Sequence, residues 1–445
     1  MKKFFLYIPL LSFTCTALSS CKDKEGDYDK SKAVLAIENI DPLAIDEDLA
    51  AQAIKIPPQV NLKYYDQASY NKKIENFQFS PTKNKKNRFL SKKKQIWSGY
   101  KGLFNDRYIF EPVIHNGKIF LLDSSGILTS YDLKTKNRIY KNRIFPKRYF
   151  KNYQTPRISF HNDRIFAIAG NDQIFAINPS DGKIVWSKRI LSIPISTIES
   201  DGKNIYFSTD NNKTYALNFQ NGKIEWISSS FPQDTTIFGS AKPLINDNKL
   251  IISYSNGEVN CLNKNNGEIL WTQNLNLNKA VNSNFYLNDI DATPRMKGNK
   301  LFVSGNGGLL MAINIDNGKF IWKKRLSSIS DFWLASDFIF IINNDNKLIA
   351  MSQKDGKIKY VSELKLQKNK NKPESKIIYN GLIMAGDKLL LTNERSELVV
   401  VDPQNGEVEQ TMKLRQKTYH SPIVIDGKII LHTLGKYSIN LMEIW

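Results

Sequence analysis

Three cysteines and four histidines are spread over 445 residues, and no two cysteines adjoin. That scarcity leaves no Cys/His spacing of the kind that holds zinc and no framework of disulfides. Acidic residues are also short: 43 Asp and Glu stand against 63 Lys and Arg, a formal net charge of +20. Such an excess admits nucleic acid, an anionic membrane surface or a merely solvated Lys-rich surface, and composition does not choose. A membrane-spanning run is lacking too. The apolar run at residues 4–18 falls short of the ~20 residues a span needs. What is present is a globular composition, 41% hydrophobic and 11% aromatic, which excludes a disordered chain.

The chain opens "MKKFFLYIPLLSFTCTALSSC". Lys2 and Lys3, the short apolar run and the small residues after it form an export signal. The ending Leu18-Ser19-Ser20-Cys21 resembles the bacterial lipobox, after which Cys21 becomes the lipidated first residue; the alternative is an ordinary signal peptide with a coincidental Cys. Lys22 after the cysteine resembles the outer-membrane sorting pattern. Export removes nucleic acid from the list of partners. It also settles the thiols: Cys15 leaves with the signal, Cys21 takes lipid, and Cys261 in "GEVNCLN" stays as a lone structural thiol. The histidines carry no metal or nucleophile motif. His115 and His161 open the turns "HNG" and "HND", and His420 and His432 fall near the C-terminus.

Residues 21–94 read as a tether. "DPLAIDEDLAAQAI" at 41–54 predicts a short helix with Asp41 as N-cap and Pro42 in the first turn, ended by "IPPQV". "KNKKNRFLSKKK" at 83–94 carries seven basic side chains. It either lies on anionic headgroups or is a solvated linker.

From residue 95 the chain repeats. In 155–190 the runs "RISF", "RIFAIA", "QIFAIN" and "KIVWSK" have strand length and β-forming residues. "HND", "GND" and "SDG" separate them with residues that tolerate positive φ. The unit recurs at 111–140, 195–226, 242–271, 293–322, 331–360 and 381–410, and a copy with only three strands closes the chain. A period of roughly 40–50 residues with four strands per unit is the pattern of a β-propeller. The last copy needs a fourth strand, and "KKQIWSGYKG" at 93–102 supplies one, with Trp97 where the repeat wants Trp. The fold predicted is all-β, an eight-bladed propeller of four-stranded antiparallel blades closed by an N-terminal strand. A seven-bladed ring is the alternative.

Each unit ends in a hexapeptide such as "DGKIVW" (181–186), "NGKIEW", "NGEILW" or "NGKFIW". The Asx-Gly pair predicts a tight turn between the third and fourth strands. Strict alternation predicts that Ile184 and Trp186 share one face, with Trp186, Trp226, Trp271, Trp322 and Trp97 packed between blades rather than forming ligand platforms.

These repeats resemble the quinoprotein-type (PQQ-like) propellers and, within that group, the BamB family, the lipoprotein propeller of the machine that inserts β-barrel proteins into the bacterial outer membrane. The likeness covers 95–445 and includes "IWSGYKG", "DIDATP" at 289–294 and the Ser-x-x-Asp-Phe of "SISDFW". It implies a non-enzymatic, lipid-anchored scaffold on the periplasmic face of the outer membrane. It implies binding to the periplasmic domains of the central barrel-assembly subunit through loops on one side of the ring, with no cofactor and no small-molecule substrate. The family's acidic pair falls on Asp289 and Asp291, and its other contact loop on "TTIFGSAKP", with Ile237 at an apolar contact place. Phe238 stands where the family has Arg, and Thr235 where it has an apolar residue. For Asp289 and Asp291 the plain alternative is Asx-turn chemistry before Thr293-Pro294. Two other functions stay open: a propeller binding another envelope protein or a glycan, and a quinone-dependent dehydrogenase. The dehydrogenase needs Ca²⁺ ligands, an Asp base and typically a vicinal Cys pair; no such pair is here.

Overall fold

The computed structural model describes residues 43–65, 74–79, 93–100, 111–123, 126–145, 156–169, 172–231, 241–275, 290, 292–306, 308–328, 330–364, 377–414, 416–418, 421–434 and 438–444. Within them stand eight four-stranded sheets, each antiparallel throughout. The chain is an eight-bladed propeller. Blades 1 to 7 span 113–143, 157–189, 199–229, 244–274, 295–325, 333–363 and 379–413. Blade 8 takes three strands from 423–444, and its fourth is Lys93–Tyr100, antiparallel to Ser438–Ile444.

The strands differ in composition because they differ in burial. In blade 5 the second and third strands, Lys300–Ser304 and Leu309–Asn314, are apolar on both faces and almost wholly buried, as central strands flanked by neighbouring sheets must be. The fourth, Phe320–Arg325, is mostly exposed. First strands of adjacent blades approach one another, so they line the axis and the fourth strands face outward. The meander then places the first-to-second and third-to-fourth turns on one face of the ring. The second-to-third turns and the blade-to-blade loops lie on the other.

The hexapeptide is wider and less regular than alternation predicts. Its turn is a five-residue loop: Gly222 N–H donates to Asn218 O at 2.9 Å, and Asn218 Oδ1 accepts from the amides of Gln220 and Asn221. The same closure recurs at Asn178, Asn263, Asn314 and Asp402, so the residue four before the Gly is as much a part of the motif as the Gly. A β-bulge then interrupts the fourth strand. Trp226 pairs with Ala216 and Ile224 with Leu217, so Glu225 has no opposite residue. Blades 2, 4 and 5 skip Val185, Leu270 and Ile321 likewise, and the strand of blade 8 skips Ile96. An extra residue reverses the alternation. Ile184 and Trp186 therefore lie on opposite faces, and Ile184, Ile269 and Phe320 are 44–51% exposed.

The tryptophans reach the next blade. Trp186 Nε1 donates to Phe219 O at 3.0 Å, Trp226 to Lys264 O at 3.0 Å, Trp271 to Ile315 O at 3.0 Å and Trp322 to Gln353 O at 3.2 Å. Tyr360 does the same through its hydroxyl to Pro403 O. Each ring covers the turn glycine of the following blade. A Cβ on Gly222, where φ is +69°, would stand 2.6 Å from the Trp186 ring. So that glycine is required twice, by its backbone and by the aromatic laid over it. Of Trp97 only the backbone is described, opposite Leu441.

The tether region contains an ordered arm. Its helix is Glu47–Ala51, capped by Asp46 rather than Asp41, because Asp46 Oδ1 accepts the Leu49 amide at 2.9 Å. Residues 43–52 lie on the outer strand of blade 6: Ile45 bridges Ile358 in parallel, Asp46 N–H donates to Ile358 O, and Lys357 pairs with Asp46 at 2.6 Å. Lys359, the bulged residue of that strand, donates to the carbonyls of Leu49, Ala50 and Gln52 at the helix end. The arm continues across blade 7, where Ile54 exchanges two bonds with the Gln404 side chain. Then Leu62 O accepts the Asp426 amide at the blade 8 turn, and Tyr65 pairs with Ile114 of the innermost strand of blade 1. Residues 74–79 return along the same turns, with Phe77 fully buried against Trp333.

Candidate protein-binding face

The arm occupies the turns of one face. On the opposite face the blade 3 to 4 and blade 4 to 5 connections leave and re-enter the ring. Of the residues expected to carry function, Cys21, Ile237, Phe238, Asp289 and Asp291 all lie outside the described residues. What is described is how those two loops are anchored. Ala241 N–H donates to Ile290 O at 3.3 Å, so the end of one loop is bonded to the heart of "DIDATP" in the other. Ala241, Ile290, Ala292 and Thr293 are all buried. Thr293 N–H, the amide an Asx turn at Asp291 would use, donates to Asp331 Oδ1 at 2.7 Å. Phe231, at the other end of the blade 3 loop, is 80% exposed. Two segments more than 40 residues apart in sequence thus form one edge.

Beneath that edge the starts of the first strands bring charges to the axis. Lys242 of blade 4 pairs with Glu111 before blade 1 at 3.1 Å. Tyr65 of the arm donates its hydroxyl to the same Glu111 oxygen at 2.9 Å. Burial pulls the Lys242 ammonium down, but Glu111, Asp331 and Glu199 outweigh it and hold its pKa above the ordinary lysine value. Arg157, alone under the burial penalty, is pushed down to about 10. Arg295 lies 4.4 Å over the Trp333 ring. The sequence signal for this cluster is a single charged residue just ahead of or opening an apolar first strand, as in "EPVIH", "KPLIN" and "TPRMK". It was missed because no spacing marks residues that meet only across a ring. The Ser-x-x-Asp-Phe stretch also gains a structural role: Asp331 holds the blade 5 loop, and buried Ser328 donates to Ile342 O.

The axis does not suit a quinone with a divalent cation. A cation among Glu111, Glu199 and Asp331 would meet the Lys242 ammonium that those carboxylates already hold, and Tyr65 fills the approach from the arm side.

Comparison with known proteins now bears on the same features. The family profile described as "Outer membrane protein assembly factor BamB" matches residues 147–360. The outer membrane protein assembly factor BamB of Yersinia pestis is 24% identical over 323 residues, covering 71% of this chain and 78% of the relative. The crystal structure of BamB from Moraxella catarrhalis superposes with a TM-score of 0.64 at 15% identity, over 79% of this chain and 99% of that one. Over these spans the chain is similar to proteins of the BamB family. A quinohemoprotein alcohol dehydrogenase of Comamonas testosteroni also superposes, with a TM-score of 0.61 at 10% identity over 79% of this chain and 76% of that one. That likeness extends to the fold alone. The chain shares the ring with such enzymes and differs from the cofactor reading at the axis, where its charges are engaged with one another and with its own arm.

Proposed function

We propose that this chain is a non-enzymatic scaffold of outer-membrane protein assembly, held by a lipid on Cys21 to the periplasmic face of the outer membrane. In this reading it binds the periplasmic domains of the central barrel-assembly subunit through the loops around 235–239 and 289–291. The carrying observation is the Ala241–Ile290 bond, which puts the roots of the two loops side by side on the face the arm leaves open. The naming of its relatives as outer membrane protein assembly factors supports the same process.

The test is a detergent pull-down from bacterial envelope, with bound proteins identified by mass spectrometry. The assembly subunit is the expected partner, and Asp289→Lys with Asp291→Lys reduces its recovery while the fold, read by circular dichroism, stays intact. Unchanged recovery removes the acidic pair from the interface. Recovery of a different envelope protein or a glycan overturns the partner itself.

A further inference from the structure

The outer strands of the blades are edges, and one of them is already in use. At blade 6 a parallel segment, Ile45-Asp46, covers the bulge. Its amide reaches Ile358 O, its carboxylate reaches Lys357, and Ile358 and Lys359 are left 0% and 4% exposed. The same place on blade 5 carries no such segment among the described residues, only the Lys323 ammonium 4.7 Å over the Phe320 ring. Lys319 stands where Lys357 stands, followed by Phe320 and Ile321 at 51% and 43% exposed. Blade 2 repeats the pattern with Lys183, then Ile184 and Val185 at 44% and 49%. Blade 4 has the apolar pair, Ile269 and Leu270, but Glu268 in the place of the lysine.

We propose that the outer strands of blades 5 and 2 are docking sites for an extended acidic–apolar segment of another polypeptide, laid parallel to the strand as Ile45-Asp46 is laid on blade 6. The occupant carries an apolar residue three places ahead of an Asp or Glu, as Leu43, packed on the cluster that holds Ile358, stands ahead of Asp46, while Ile45 is half exposed. The apolar side chain covers the exposed pair and the carboxylate meets Lys319 or Lys183. An edge strand offers unpaired backbone groups to such a segment, and the alternate side chains set its choice. Charge complementarity fixes the sign: a basic protein with a lysine at the head of the site selects an acidic strand, and Glu268 excludes it from blade 4. The bulged residue decides how the segment continues. Lys359 caps the helical turn of the arm, whereas Ile321 and Val185 have no charge to cap one, so at blades 5 and 2 the segment stays extended.

The experiment uses the full chain without its signal and a fluorescent peptide of residues 42–54, read by anisotropy. Saturable binding is expected, weak and on the order of 0.1–1 mM. Phe320→Asp with Ile321→Asp weakens it about tenfold at the blade 5 site, and Lys319→Glu weakens it less. Ile269→Asp with Leu270→Asp leaves it unchanged, and a peptide carrying Asp46→Lys does not bind. These side chains are exposed, and an unchanged melting curve certifies each variant. A photo-cross-linking peptide maps the contact to 319–321 and 183–185. No saturation up to millimolar peptide overturns the proposal. So does binding abolished by Lys357→Glu and untouched by the blade 5 and blade 2 variants, which marks exchange with the resident arm. Neither readout involves the assembly subunit, so this docking and the scaffold reading fail separately.

Discussion

The two halves of the ring are held differently. From the blade 1–2 seam to the blade 5–6 seam, buried side chains fall into separate clusters, each shared by consecutive blades. From blade 6 through blade 8 to blade 1 they merge into one cluster, which contains Ile54, Leu62, Tyr65, Phe77 and Phe79 of the arm. A repeat protein is ordinarily a chain of nearest-neighbour contacts. Here the arm adds contacts that skip blades, tying residues such as Glu75 and Trp333 that lie 258 positions apart. One half is a string of seams; the other is a single packed unit.

The largest effect is expected where that unit is centred. Phe77→Ala removes a fully buried ring beside Trp333 and costs about 3–5 kcal/mol in denaturant unfolding. Hydrogen exchange separates the halves. Phe77→Ala speeds amides in blades 6, 7, 8 and 1 together, while Phe207→Ala, at a fully buried site in blade 3, speeds only blades 2 to 4. If Phe77→Ala disturbs blade 7 alone, the arm does not couple the half.

In the string of seams the sensitive points are the turn glycines. Gly222→Ala meets both a φ of +69° and the Trp186 ring at 2.6 Å, and costs about 2–3 kcal/mol. Gly117, with φ +68° and nothing within 4 Å of its Cβ, isolates the backbone part, about 1 kcal/mol. Equal melting shifts for the two substitutions would sink the claim that the seam, and not the turn, demands glycine at 222.

A comparable effect joins the halves at the axis. Lys242→Met leaves Glu111 with Tyr65 as its hydrogen-bond donor and costs about 1–3 kcal/mol at neutral pH. The Lys242 pKa is raised in the folded state, so its contribution is complete below the ordinary value of 10.5 and is lost as pH rises through the higher folded value. The stability gap between wild type and Lys242→Met should close above that range. A gap that persists at strongly alkaline pH means the lysine acts through packing rather than charge.

The eight units, their four strands and the seam tryptophans could be read from the sequence because each blade solves one packing problem, and the same residues recur at each solution. Asn178, Asn218 and their equivalents are equally periodic, but their part in the turn shows only when the amide of the Gly four residues on reaches their carbonyl. The bulge was hidden for another reason. Alternation counts residues, and nothing in "KIVW" says that Val185 lacks an opposite partner until the third strand is laid beside it. The arm has no period at all. "DEDLAAQ" and "ENFQF" resemble any polar linker, and their apolar residues find their places only on turns that lie hundreds of positions away.

The repeating sequence by itself determined the propeller, because a wedge between sheets needs a large aromatic and the turn beneath it needs a residue at positive φ, which is glycine in blades 2 to 7 and Lys136 in blade 1. Tertiary structure decided the rest. It chose which blades the arm clads, and brought Lys242, Glu111 and Tyr65 to one point. It also placed the roots of the 232–240 and 276–291 loops side by side. Each of these depends on surfaces that meet only when the ring exists, and a linear pattern carries no record of what lies across an axis.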